Sequence, residues 1–203
     1  MSRRWRAVLI GACLVAMALL IALDRGLLAS RARGTAAGGR QSAGRDSARY
    51  HGKTFTVVHI VDGDTLDIDV ADGDAATTRI RLLGIDAPET RGNEGAPAFF
   101  ASEATAFVRT LVEGADITVY LNEAGDSRGK YGRLLAYIEM SDGRFLNEVL
   151  ISEGYVYADL RFRHSTYQRY RQLESSARAL RKGLWSEVSR EQWPAWRQRM
   201  RGN

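Results

Sequence analysis

Apolar positions along the chain switch period several times, and each switch predicts a change of element. Thr54 to Val61 is the first β-branched and aromatic run, with Phe55, Val57, Val58, Ile60 and Val61, and predicts a strand. Leu66, Ile68 and Val70 share one face of a second strand over 64–70. A third covers 77–85, joined to the second by the turn Ala71-Asp72-Gly73-Asp74. After Pro97, which suits a helix's first turn, Phe99, Phe100, Ala104, Phe107, Val108 and Leu111 recur at helical spacing as far as Gly114. Strands follow over 117–121 and 134–140, separated by a polar loop, with a turn at Ser141-Asp142-Gly143-Arg144. A short helix over 145–153 ends at Gly154. A longer one over 166–182, capped by Ser165 or Thr166, ends at Gly183. Five short antiparallel strands, one helix after the third and two helices at the end predict an α+β, mainly β domain: a small closed barrel packed against three helices.

The N-terminus reads differently. Ser-Arg-Arg-Trp-Arg precedes Ala7 to Leu23, 17 uncharged and mostly apolar residues closed by Asp24-Arg25. A positive start and an apolar run of this length form an export signal, so residues 1–30 are read as a signal peptide or an uncleaved signal-anchor. The nearest small-x-small site, Ser30-Arg31-Ala32, lies well downstream, which favours the anchor. The expected location is across the cytoplasmic membrane, anchored by one span, with secretion as the alternative. Residues 31–50, rich in Ala, Gly, Ser and Arg, read as a flexible linker, and the folded domain is expected over 51–187. Residues 188–203 form a basic tail containing Trp193 and Trp196, with packing on the domain or disorder favoured over contact with nucleic acid or membrane.

The net charge of +5 suggests a nucleic-acid coat until it is divided. Residues 1–50 hold 9 arginines and 2 acids (+7), residues 51–160 hold 9 basic and 19 acidic residues (−10), and residues 161–203 hold 11 basic and 3 acidic (+8). The centre is acidic, which suits a cation-binding core better than a phosphate-coating surface. Cys13, the single cysteine, lies in the apolar N-terminal run. The domain therefore has no internal disulfide, thiolate nucleophile or cysteine-rich zinc site.

Carboxylates gather at the predicted strand ends. Asp62-Gly63-Asp64 joins the first two strands, and Asp86 and Glu89 follow the third, which also carries Arg81. Asp-Gly-Asp alone is an ordinary turn sequence. Three acids converging beside a fixed cationic side chain suit a hard divalent cation, a phosphate and an attacking water. His51, His59 and His164 show no ligand spacing.

From Thr54 to Glu187 the chain resembles staphylococcal nuclease, or thermonuclease. The resemblance rests on Val61-Asp62-Gly63-Asp64-Thr65, Arg81 to Thr90, Lys130 to Tyr137, Asn147-Glu148 with Gly154, and Gly183 to Glu187, in that order. It implies a five-stranded OB-fold barrel and a Ca²⁺-dependent nuclease of low sequence specificity acting on DNA and RNA and leaving 3′-phosphates. It further implies Asp64, Asp86 and the main-chain carbonyl of Ala87 as Ca²⁺ ligands, with alanine standing where the best-known member has threonine. Glu89 would activate or orient water, Arg81 and Arg133 would grip the scissile phosphate, and Lys130 and Tyr131 would hold a neighbouring one. The family's base-contacting tyrosines align with Leu160 and Phe162, so Tyr155, Tyr157 and Phe162 are read either as a different stacking surface or as core. A monomer is expected. A catalytically silent nucleic-acid or protein binding module on the same barrel is the alternative.

Overall fold

In the computed structural model, residues 43–90, 96–122 and 125–200 are described. The predicted export segment and most of the predicted linker lie outside them. Among the described residues no helix is long and apolar enough to cross a membrane.

Strands β1 (Lys53–Asp62), β2 (Thr65–Ile68), β3 (Thr78–Leu82), β5 (Asp116–Leu121) and β6 (Leu134–Met140) close into a barrel in the order β1-β2-β3-β6-β5, with β5 returning to β1. The expected five-stranded barrel is present. The expectation of antiparallel pairing throughout is not: β3 and β6 run parallel, with Ile80 opposite Leu134 and Leu82 opposite Ala136. The reason is parity, because a ring of five strands cannot alternate direction at every step. The parallel seam falls where α2 (Ala101–Val112) and β5 intervene between its two strands.

The barrel is filled by Val57, Ile60, Leu66, Ile68, Ile80, Leu82, Ile117, Val119, Leu134 and Ile138, all essentially inaccessible. Val57 and Ile60 are three apart, yet both point inward because β1 changes register between them. At roughly 1.5–3 kcal/mol for each large apolar side chain buried, this interior is the main favourable contribution to the fold. Helix α2 starts at Ala101 because Phe100 adopts a left-handed conformation (φ 70°), and it packs Ala104, Val108 and Val112 inward, lying against β1.

Helix α3 (Leu146–Ser152) is pinned by fully buried Asn147, whose Oδ1 accepts from the Ile138 amide and whose Nδ2 donates to the Leu83 carbonyl, both at 3.0 Å. Helix α4 (Tyr167–Ala179) lies on α3. Gly154 and Gly183 meet at close quarters: a Cβ on Gly154 would collide with the Lys182 carbonyl, and one on Gly183 with the Gly154 carbonyl. Both have positive φ, so each position needs glycine for backbone and for space.

Among the described residues, two short strands and two short α-helices went unread in the sequence. Strands β4 (Ile85–Asp86) and β7 (Tyr157–Ala158) form a separate antiparallel pair of two residues each. Residues 43–50 form helix α1, and Ala195–Arg199 form α5. Thus the structure extends upstream of His51 into the predicted linker. Asp46 of α1 accepts from Arg128 and Ser127, Arg128 also grips Asp72, and Tyr50 is fully buried with its hydroxyl 3.1 Å from Thr78 Oγ1.

Candidate active site

The β1–β2 turn brings the first acids into place. Asp62 Oδ1 accepts from the Asp64 amide at 3.0 Å, a local bond that closes the turn. Gly63 allows the turn to lie against the rest of the site, since a Cβ there would stand 2.8 Å from Ala87 Cβ and 3.0 Å from Ala104 Cβ. Asp64 is buried. Its Oδ2 accepts from the Ala87 amide at 2.7 Å, and its Oδ1 accepts from the Thr65 hydroxyl at 3.0 Å. One carboxylate thereby ties the β1–β2 turn to the segment after β4.

Alternation along β3 sends Arg79 to Asp67 and Arg81 towards the site. Arg81 Nη1 donates to the carbonyls of Leu82 and Ile85 at 2.9 and 2.8 Å. Its Nη2 lies between Asp64 Oδ2 at 3.0 Å and Asp86 Oδ1 at 3.1 Å. Two acids, one in the β1–β2 turn and one in β4, therefore converge on one guanidinium nitrogen. Asp86 is further engaged: Oδ1 accepts from Arg161 Nη2 at 3.0 Å, and Oδ2 from the Trp196 indole at 2.8 Å.

The other expected residues are linked to this pair by different contacts. Ala87 is brought directly to Asp64 by its amide. Arg133 reaches the Thr65 hydroxyl at 3.4 Å. Lys130 and Arg133 both lie over the Tyr131 ring, 4.6 and 5.7 Å from its centre, and Tyr131 is 72% exposed. These three form a basic and aromatic rim beside the acids. Glu89 is surface-exposed and feels the charges of Asp86, Asp62, Arg81 and Arg133. Arg161 and Trp196 were missed, because both reach Asp86 from far along the chain with no local spacing to announce them.

Burial pushes the Asp64 carboxyl up to about 7; Arg81 opposes this, while Asp62 and Asp86 reinforce it. Glu89 is also raised above the ordinary carboxylate range, first by desolvation and then by Asp86 and Asp62. Acids whose ionisation is disfavoured by desolvation and by neighbouring negative charge are suited to an added cation, and the oxygen donors suit a hard one. Among the described residues no three acidic, histidine or cysteine side chains gather tightly enough to hold a metal alone. A cation held by Asp64 and Asp86 would therefore complete its shell with main-chain, water or phosphate oxygens.

Residues 79–187, more than half of the chain, match the model of the family described as staphylococcal nuclease homologue. The chain belongs to the staphylococcal nuclease family. It is 29% identical over 153 residues to the thermonuclease of Staphylococcus hyicus, covering 75% of this chain and 86% of that one. It is 33% identical over 158 residues to an uncharacterised endonuclease of Escherichia coli O157:H7, covering 75% and 88%. An uncharacterised Bacillus anthracis protein is 33% identical over 132 residues, but the match takes in only 59% of that longer chain.

Against the staphylococcal nuclease pattern the aromatic positions now separate. Tyr155 stacks on Phe107 with ring centres 3.8 Å apart, and Tyr157 is buried under Trp185, so both serve the interior. Phe162 is 67% exposed. The family match stops at residue 187, before the tail that supplies Trp196.

Proposed function

We propose that the protein is a nuclease that uses Ca²⁺ to hydrolyse phosphodiester bonds in DNA and RNA with little sequence preference, leaving 3′-phosphates. The convergence of Asp64 and Asp86 on Arg81 Nη2 carries the reading, because acids and an arginine at one point form a place for a cation and a phosphate together. Family membership and relatives bearing the names thermonuclease and endonuclease support nuclease activity. Asp64, Asp86 and the Ala87 carbonyl would hold the cation, which when bound supplies positive charge to offset the negative charge growing on phosphate oxygens.

The chain's own groups divide the remaining work. Arg81 and Arg133 present planar forks that donate to phosphate oxygens as charge builds on them, a task a lysine's point charge performs less well. Glu89, accessible to solvent yet partly desolvated and raised in pKa, would orient or deprotonate an attacking water. Lys130 and Tyr131 on the rim hold the next phosphate along and fix register. Glu89→Gln and Arg133→Ala should each lower turnover by orders of magnitude while the melting temperature stays near wild type, since both act on the transition state. Folded variants that cut at normal rates would remove those assignments.

The apolar segment expected to act as an export signal supports a location outside the cytoplasm, with a monomer tethered through residues 1–30. Fractionation with a C-terminal tag tests the tether: full-length protein in membranes supports it, and a soluble fragment beginning near Arg33 replaces it with secretion.

A further inference from the structure

The C-terminal tail lies outside the family match, yet it touches the acid on which the proposed site depends. Trp196 Nε1 donates to Asp86 Oδ2 at 2.8 Å. The other oxygen of the same carboxylate, Oδ1, is the one that meets Arg81 Nη2 together with Asp64. Asp86 therefore has one oxygen, Oδ1, shared by Arg81 and Arg161, and a second, Oδ2, tethered to the tail by the indole. An indole is suited to the tether: it donates one hydrogen bond, cannot accept one, and carries no charge that would repel a cation.

The tail itself is fixed in place next to Trp196. Arg197 Nη1 and Nη2 donate to Glu174 Oε1 and Oε2 at 2.9 and 2.7 Å, and the side chains are only 8% and 5% exposed. The rings of Tyr157, Trp185 and Trp193 surround that guanidinium at 5.1–5.3 Å. Glu174 Oε1 also accepts from the Ala158 amide at 3.0 Å, and β7 pairs with β4, setting Tyr157 opposite Asp86. Asp86 is consequently held twice by one unit, at its backbone through Arg197, Glu174 and β7, and at its side chain through Trp196. Arg161 lies over the Trp196 ring, 4.8 Å from its centre, and packs the indole from the outer side.

We propose that the segment from Arg190 to Arg199 is part of the active site, with Trp196 a positioning residue that orients Asp86 for the cation. The proposal rests on the reading of Asp86 as a cation ligand. Groups that hydrogen-bond to a metal ligand fix its orientation, and their loss commonly weakens binding by about 10- to 100-fold.

The test is calorimetric titration of the full-length chain with CaCl₂, comparing wild type with Trp196→Phe, which keeps an aromatic ring and the Arg197 anchor but removes the N–H. The dissociation constant for Ca²⁺ should rise by about 10- to 100-fold in the variant, with an unchanged circular dichroism spectrum. Tryptophan emission provides a second readout: Ca²⁺ should change it in wild type, and the change should be absent in the variant. Equal dissociation constants and equal emission responses would overturn the positioning role while leaving the proposed cation site intact. No Ca²⁺ binding by wild type would overturn both. A variant that unfolds is replaced by comparing the emission response of wild type with that of Asp86→Asn; an equal Ca²⁺ response in the two counts against the proposal.

Discussion

Asp64→Asn separates the cost of the buried carboxylate from its use. The Asn oxygen can still accept from the Ala87 amide and its nitrogen can donate to the Thr65 hydroxyl, so both hydrogen bonds of Asp64 have successors. What disappears is the titration, and with it the charge attraction to Arg81 Nη2, 3.0 Å from Oδ2. In the folded chain Asp64 is pushed up to about 7 from an ordinary 3.8, so between those values the folded state keeps a proton that the unfolded chain has released. The stability associated with that proton is fully present below pH 3.8 and is lost as pH rises through about 7. Relative to wild type, the variant should gain about 1.4 kcal/mol per pH unit across that window, reaching about 3 kcal/mol between pH 4.5 and 7.5. Urea unfolding in the presence of chelator, at several pH values, measures the difference directly. Adding Ca²⁺ at pH 7.5 should stabilise wild type and leave the variant unmoved. A wild-type-to-variant difference that does not change with pH would mean Asp64 is ionised throughout, satisfied by Arg81, and would refute the burial reasoning.

Two further substitutions address how the site is held. Asp46→Ala removes the α1 partner of Arg128, leaving that guanidinium with Asp72; it should cost about 2 kcal/mol in chemical denaturation at pH 7, and an effect below about 0.5 kcal/mol would show that α1 does not brace the domain. The Asp46 carboxyl is lowered despite its burial, by hydrogen bonds from Arg128 and Ser127, so this cost should be present above pH 4 and shrink as pH falls below it. Gly63→Ala would place a methyl group against Ala87 and Ala104; it should cost about 1–3 kcal/mol and reduce nuclease activity by displacing Asp64, whereas wild-type stability and rate together would show that the turn has slack.

The parts of this fold that were legible in the sequence are those written in local periodicity. The five barrel strands and three main helices follow alternation, helical spacing and glycine stops. The acids and arginines were legible because their order along the chain matches a family pattern. What escaped has a common physical cause. Strands β4 and β7 are two residues each, too short for any period, and exist because Ile85-Asp86 and Tyr157-Ala158 meet after the barrel has closed. Helix α1 sits in an Ala/Gly/Ser/Arg-rich stretch, and its anchors, Asp46 to Arg128 and Tyr50 to Thr78, are distant contacts. The parallel β3–β6 seam was within reach, since an odd closed ring requires one. Trp196 and Arg161 at Asp86 were not: the tail shows only composition until the Arg197–Glu174 pair sets it against α4, and Arg161 meets Asp86 from 75 positions away with no local spacing.

The central claim is that Asp64 and Asp86 hold a cation that enables Arg81, Glu89 and Arg133 to cleave a phosphodiester bond. Its most direct test is the conversion of supercoiled plasmid to nicked and linear forms by the full-length protein, with CaCl₂ and with chelator in parallel. Cleavage with Ca²⁺ that stops in chelator and returns when Ca²⁺ is restored is the predicted result. Cleavage undiminished by chelator would contradict the cation's role, and intact plasmid under every divalent metal would contradict the enzyme itself.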